Sequence, residues 1–328
     1  THFDHRRHIV LTTEKKHGEF SLIETLVARR PKPESLFRAC RVAAGDDAAL
    51  LASLSRPVIT TDTQREGVHF RRDWQTPFEI GAKAVAVTLS DLAASFAKPV
   101  ALFVNLGIPA GLSDSVAEGI YDGLGAALEM YGCDLGGGNT SRSSELSLDL
   151  FAVGEGQGEM PLRSQARDGE LLCVTGPLGM ARGGLRCLET GEARFPMLLA
   201  AFKNPRPRFD AAEVLQQAGV RCAMDISDGL AGDALHMAKA SGVTLELGLT
   251  PEMAHGELKE WCDACGEDLR SFMASGGEEY ELLFTCSPDT LASIKRTFPT
   301  VMCVGRVLTH SGSYLLDLPR EASSFEHR

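Results

Sequence analysis

Aspartates set at the ends of apolar segments are the residues of this chain best suited to chemistry. Asp46 and Asp47 stand in Gly45-Asp46-Asp47-Ala48-Ala49-Leu50, and Asp62 follows Thr60-Thr61. Asp225 and Asp228 flank the turn Asp225-Ile226-Ser227-Asp228-Gly229-Leu230. In open α/β sheets ligands collect beyond the carboxyl ends of strands, where these side chains are expected. Asp91 differs. It follows Val87 by four residues and precedes Ala94 by three, on the apolar stripe of its own predicted helix. An ionised carboxylate there is costly unless it meets a cation or strong donors. Two carboxylates about 4 Å apart repel by about 4 kcal/mol at an effective dielectric of about 20. If these acids converge, a divalent cation is the simplest compensation, and all-oxygen ligands favour Mg²⁺ or Mn²⁺ over zinc. Each acid also has a plainer use: Asp228 or Ser227 as a helix cap, Asp46 and Asp47 as turn residues, Asp62 as a strand end.

Glycine supplies a second signal. Gly136-Gly137-Gly138-Asn139-Thr140 is expected to be a turn after a helix, where backbone N–H groups approach an anion closely, although such runs also serve as plain turns. Gly276-Gly277-Glu278-Glu279-Tyr280 reads as a similar turn entering a strand. Arg163 is a candidate phosphate partner, though a lone arginine is usually solvated. No G-x-x-x-x-G-K-[ST], G-x-G-x-x-G or G-x-S-x-G occurs, so the phosphate-binding P-loop, the dinucleotide fingerprint and the serine elbow are excluded.

The elements that must position these residues alternate between helix and strand. Helices are expected over residues 19–30, 77–97, 113–131, 179–188, 229–240 and 290–298. The first carries Ser21 and Glu24 at capping-box spacing, and the second is opened by Pro77. Strands are expected over 58–61, 100–106, 146–153, 171–175, 222–226, 243–247, 281–286 and 301–307. Gly154-Glu155-Gly156-Gln157-Gly158 reads as a linker. The expected division is an N-terminal extension over 1–17, disordered and with His2, His5 and His8 in it, then domains over 18–158 and 159–328.

The chain has 328 residues, with 33 Lys and Arg against 44 Asp and Glu, a net charge of −11. An acidic surface argues against nucleic acid as a partner, since phosphate-backbone binding needs clustered cations. No segment reads as a membrane span: the apolar stretch over 92–112 is interrupted by Lys98, Pro99, Asn105 and Pro109. No export signal is visible. The 9 cysteines lack framework spacing, as in reduced cytoplasmic thiols. The C-x-x-C of Cys262 and Cys265 reads as packing on a short helix rather than as a redox pair.

Taken in order, Gly18-Glu19-Phe20, Gly45-Asp46-Asp47, Thr61-Asp62, Glu66-Gly67-Val68-His69-Phe70, Leu89-Ser90-Asp91-Leu92-Ala93-Ala94, Asp225-Ile226-Ser227-Asp228-Gly229-Leu230 and Gly276-Gly277-Glu278 resemble the thiamine-monophosphate kinase family. That family lies within the superfamily of aminoimidazole ribonucleotide and selenophosphate synthetases, and the resemblance covers residues 18 to about 327. It implies an α/β (α+β) protein of two domains. The N-terminal sheet would pair across a homodimer into a barrel-like sheet, and the C-terminal domain would hold a mixed sheet with helices. It implies ATP-dependent phosphorylation of thiamine monophosphate to thiamine diphosphate, by direct in-line γ-phosphoryl transfer with several Mg²⁺ ions and a possible monovalent cation. Carried over by position, Asp47, Thr60, Thr61, Asp62, Asp91, Asn139, Asp225 and Asp228 match metal ligands. Gly138, Asn139, Arg163 and Ser227 match ATP contacts, and His69, Glu278 and Phe325 match substrate contacts, Phe325 by stacking. No side chain matches a covalent nucleophile, and Asp62, Asp91 and Asp225 carry the most weight.

One departure stands out. Asn139 occupies a position where the family usually has Asp, which implies a weaker metal site. The alternatives are another ATP-using enzyme of the superfamily, or a non-catalytic protein that binds a nucleotide or thiamine phosphate and lost turnover through Asn139.

Overall fold

In the computed structural model, the structure describes residues 19–29 and 40–319. The expected extension over 1–17, its histidines and Phe325 lie outside the described residues. Helix α1 (Glu19–Val27) ends before residue 30, and two short strands, β1 (Cys40–Val42) and β2 (Leu50–Leu51), pair antiparallel.

A four-stranded sheet follows, built from β3 (Pro57–Arg65), β4 (Ala97–Pro109), β5 (Asp134–Ser143) and β6 (Ser147–Gly156) in the order β3-β6-β4-β5. Alternation fixes its two faces. Leu102, Val104 and Leu106 of β4 and Leu148, Leu150 and Ala152 of β6 are buried, under α2 (Pro77–Ala94) and α3 (Asp114–Tyr131). The opposite face carries Ile59, Thr61, Thr63, Phe151 and Asp149, with Ile59 59% and Phe151 39% exposed.

Helix α2 starts as its sequence dictates. Thr76 accepts from the Glu79 N–H, the Glu79 carboxylate accepts from the Thr76 N–H, and Pro77 occupies the first turn. It ends at Ala94, short of residue 97, because Phe96 turns left-handed (φ 53°) and the chain enters β4. Helices α2 and α3 lie unusually close. A Cβ on Gly81 would stand 2.0 Å from the Ile120 carbonyl oxygen, and one on Gly123 2.0 Å from that of Phe78. Only hydrogen fits at these two crossings.

Three expectations are corrected here. Asp62 does not close its strand but lies within β3, whose Thr-rich register continues to Arg65 opposite β6. The 136–140 glycines form no turn. They run in β5 beside β4, where a Cβ on Gly136 would meet the Phe103 ring at 2.5 Å and one on Gly138 the Val104 carbonyl at 2.0 Å. Gly154 and Gly156 are likewise strand residues of β6 rather than a linker. Strand β4 is longer at both ends than its apolar run, and its register shifts between Pro99 and Ala101, which accommodates the proline.

The rest of the described chain forms a six-stranded mixed sheet. Its strands are β7 (Leu171–Val174), β8 (Cys222–Asp225), β9 (Val243–Leu247), β10 (Leu282–Cys286), β11 (Met302–Thr309) and β12 (Leu315–Leu316), in the order β12-β9-β11-β7-β10-β8. All neighbours are antiparallel except β12 and β9. One face packs on α4 (Met180–Thr190), α5 (Pro196–Lys203), α7 (Leu230–Ser241), α8 (Gly256–Cys265) and α9 (Leu269–Ser275). The other packs on α6 (Phe209–Gln217), α10 (Pro288–Thr297) and the end of α2, where Ala93, Ala94 and Phe96 join its core. Helices α5, α6 and α9 had no counterpart in the sequence reading. All nine cysteines are free thiols, with Cys262 buried and Cys265 exposed on α8. Among the described residues no helix is long and apolar enough to cross a membrane.

Gly123→Ala should lower the unfolding free energy by about 1–3 kcal/mol, since the added methyl forces backbone apart. Urea denaturation checks this, and an unchanged midpoint would mean that α2 and α3 separate freely.

Candidate active site

A cleft of about 750 Å³ opens where the four-stranded sheet, α2 and the end of the six-stranded sheet meet. Thr61 and Asp62 reach it from β3, Asp91 from α2, and Asp225 from the last residue of β8. Ser227 and Asp228 come from the turn before α7, and Glu278 from the loop before β10. His69, Arg71 and Trp74 also line it, with Phe202 of α5 and Arg182 and Arg186 of α4.

Backbone hydrogen bonds lock the two loops together. The Glu278 N–H donates to the Ser227 carbonyl at 2.8 Å and the Tyr280 N–H to that of Ile226 at 2.9 Å. Glu278 (φ 60°) and Tyr280 (φ 52°) both sit in the left-handed region, a strained arrangement found where surroundings over-determine the backbone. Gly229 (φ 101°) permits the close pass: a Cβ there would lie 3.0 Å from the Ser275 carbonyl carbon. Gly229 caps α7 without a side-chain bond, so neither Ser227 nor Asp228 spends its side chain on that role.

The carboxylates are held by short bonds. The Thr60 hydroxyl donates to Asp91 at 2.5 Å, the Ser90 hydroxyl to Asp225 at 2.6 Å, and the Thr63 N–H to Asp62 at 2.6 Å. Even so, burial pushes Asp62 up to about 6, with Asp91 and Glu278 adding repulsion. Burial also raises Asp91, against the pull of Thr60 and Arg163. Asp225 is pushed up to about 7 by burial and then by Asp91. Asp233, one turn into α7, accepts from the Asp228 N–H at 3.1 Å and is pushed up to about 8 by burial and by Asp225 and Asp228. So much disfavoured negative charge calls for a cation. Yet among the described residues no three His, Cys, Asp or Glu side chains close around one point. The acids share a cleft without forming a cage. That suits Mg²⁺, which keeps waters and binds through one or two carboxylates plus substrate phosphates.

Several expected positions lie elsewhere. Asp47 is an exposed turn residue whose N–H donates to Asp46. Gly138 and Asn139 are exposed on β5, an edge strand; the register aligns Asn139 with Asn105 and, across β4, with Asp149 and Thr63. Within one chain Asp47, Gly138 and Asn139 do not line the cleft, and the last two belong to a strand rather than to an anion-binding turn. Arg163 is exposed but close enough to Asp91 and Asp225 to favour their ionised forms.

Sequence reasoning missed Asp233, Ser90, Trp74, Phe202 and Lys83. Lys83 carried the same signal that singled out Asp91: a charge at i−4 from Val87 on an apolar helix face.

Comparison with known proteins decides the family. A thiamine-monophosphate kinase from Aquifex aeolicus (strain VF5) is 35% identical over 276 residues, 83% of this chain and 86% of that protein. The chain belongs to the thiamine-monophosphate kinase family of enzymes. One from Mycobacterium tuberculosis (strain ATCC 25618 / H37Rv) is 32% identical over 317 residues, 96% of this chain and 92% of that one. The family model for AIR synthase related protein, N-terminal domain, matches residues 45–155. The crystal structure of the kinase from Stenotrophomonas maltophilia K279a aligns with a TM-score of 0.78 and 31% identity, over 93% of this chain and 98% of that one. The structure of AaThiL complexed with AMPPCP and TMP aligns with a TM-score of 0.72 and 34% identity, over 91% and 93%. Hydrogenase maturation protein HypE, at 19% identity and a TM-score of 0.70, shares the fold.

The raised carboxyls set a pH dependence for the metal-free protein. A raised folded pKa favours the protonated fold, so the linked stability is full below the ordinary value of 3.8 and falls as pH rises through about 6 to 7. With EDTA present, Asp225→Asn should be more stable than the parent at about pH 8.5, by on the order of 1–3 kcal/mol, with the gap narrowing as pH falls and closing only below about pH 4. Mg²⁺ should raise the parent's Tm more at the higher pH. Thermal denaturation across pH reads both, and a gap that persists in acid would remove the electrostatic explanation.

Proposed function

We propose that this protein transfers the γ-phosphoryl group of ATP to thiamine monophosphate, forming thiamine diphosphate by direct in-line attack. The observation that carries the reading is one cleft that gathers Asp62, Asp91, Asp225 and Asp228 with His69, Trp74 and Phe202, in a chain of this kinase family. AaThiL, similar over most of its length, is described in complex with AMPPCP and TMP.

Both partners in such a transfer are anions, so charge and alignment dominate the barrier. Asp62, Asp91, Asp225 and Asp228 would hold Mg²⁺, which supplies charge neutralisation and polarises phosphoryl oxygens when bound. The Thr60 and Ser90 hydroxyls fix the carboxylate orientations. In this reading Arg163 would pair with ATP phosphate, and the Ser227 hydroxyl would donate to it. His69 accepts the Arg65 N–H on Nδ1 at 3.1 Å, so its neutral ring carries the proton on Nε2, a donor suited to the acceptor phosphate. That phosphate is already ionised near neutral pH, so the cleft needs no strong general base, and no residue forms a covalent intermediate.

Asp47, Gly138 and Asn139 enter this reading through a homodimer. The exposed sheet face carrying Ile59 and Phe151 would pair with its copy into a barrel-like sheet and bring the β5 positions toward bound ATP. We place the domain division after β6, near residue 158, and the protein in the cytoplasm, with ATP and thiamine monophosphate as ligands.

A coupled assay for ADP, run across candidate acceptors with Mg²⁺ varied, tests the function. ADP release is expected only with thiamine monophosphate and Mg²⁺. Release with another acceptor would move the protein elsewhere in the superfamily, and binding without turnover would make it a sensor. Asn139→Asp, restoring a charged ligand, should lower the half-saturating Mg²⁺ concentration several-fold. An unchanged Mg²⁺ dependence would remove Asn139 from the metal set. Phe151→Asp should convert dimer to monomer in light scattering if the sheet faces pair.

A further inference from the structure

Lys83 is a deeply buried cation beside the cleft, its side chain 1% exposed in the middle of α2. A lone ammonium there would be strongly disfavoured, and three contacts compensate it. Its Nζ lies 3.1 Å from Glu278 Oε2, 3.5 Å from the His69 carbonyl oxygen, and 3.8 Å from the centroid of the Phe202 ring. Those partners come from three separate segments, and each one lines the cleft. The contacts extend further: Phe202 meets Trp74 edge-on at 6.5 Å, and the Arg71 guanidinium lies 4.5 Å from the Trp74 centroid. One cation thus ties together a carboxylate, a backbone segment and an aromatic surface.

We propose that Lys83 is a positioning residue for the acceptor half of the cleft. Its ammonium fixes the Glu278 carboxylate and the Phe202 face, and so sets affinity for a cationic, ring-bearing phosphate acceptor rather than for ATP. This rests on the kinase reading above. Glu278 stands near Asp62, so without Lys83 its carboxylate would face like charge unscreened. It would then turn toward water and leave its left-handed backbone with one support fewer. With Oε2 held by Lys83, Oε1 remains for a donor or a positive ring on the acceptor. Aromatic faces at Phe202 and Trp74 suit the same cationic ring.

The test compares the parent, Lys83→Met, Glu278→Gln and the double variant in the coupled ADP assay, varying thiamine monophosphate and ATP separately. Lys83→Met should raise KM for thiamine monophosphate about 10-fold or more and leave KM for ATP within about 2-fold. In the Glu278→Gln background the same substitution should add less than about 2-fold, since residues acting through one another are not additive. Equal rises in both KM values, or an undiminished effect in the Glu278→Gln background, would overturn the proposal. Should Lys83→Met not fold, Lys83→Gln, which keeps a donor, carries the same comparison. A parent that releases no ADP with thiamine monophosphate would defeat the kinase reading, whereas an active parent without the KM split defeats Lys83 alone.

Discussion

Repulsion among carboxylates withdrawn from water governs this molecule. Asp62, Asp91, Asp225 and Asp233 are all raised by burial, and each feels at least one other acid. A chain under selection only for stability would replace such a group with apolar residues, because uncompensated buried charge opposes folding. Here the local structure accepts that cost and limits it. Thr60, Ser90 and the Thr63 N–H each spend a donor on one acid. The remaining imbalance is one that a bound cation would relieve.

Helix α2 connects that electrostatic problem to the fold. It is buried on nearly every side, between the four-stranded sheet, α3 and the edge of the six-stranded sheet. Such a helix has little freedom to shift, and the glycine crossings with α3 narrow it further. Ser90 and Asp91 near its C-terminal end and Lys83 two turns earlier therefore occupy fixed positions along the side of α2 that faces the cleft. The strained 276–280 loop is rigid for a related reason, since its N–H groups bond to the 226–227 carbonyls and its Glu278 side chain to Lys83. Negative charge is thus gathered in one cleft, together with a buried cation beside it, a histidine and aromatic faces.

Much of this was legible locally. Pro77 and the Thr76–Glu79 spacing begin α2 where the pattern indicated, and the apolar runs near 171–174, 222–225, 243–247 and 282–286 are strands. Asp91 announced itself because a carboxylate on an apolar helix face is rare without a purpose. The glycine runs misled, because sparing a Cβ serves close strand packing as readily as a turn: at Gly136 the reason is the Phe103 ring, which is distant in sequence. Asp62 was read as a strand end, yet the strand continues because β6 offers it a partner as far as Arg65.

The order of motifs, the acidic composition and the helical face of Asp91 were determined by sequence alone, since they depend on residue type and short-range periodicity. Which acids share a cleft was decided only by tertiary structure. Asp225 meets Ser90 across 135 residues and Glu278 meets Lys83 across 195, while Asp47 and Asn139, singled out equally by motif, remain apart from the cleft within the chain. Burial, hydrogen-bond partners and repulsion arise from those long-range meetings, and no local pattern specifies them.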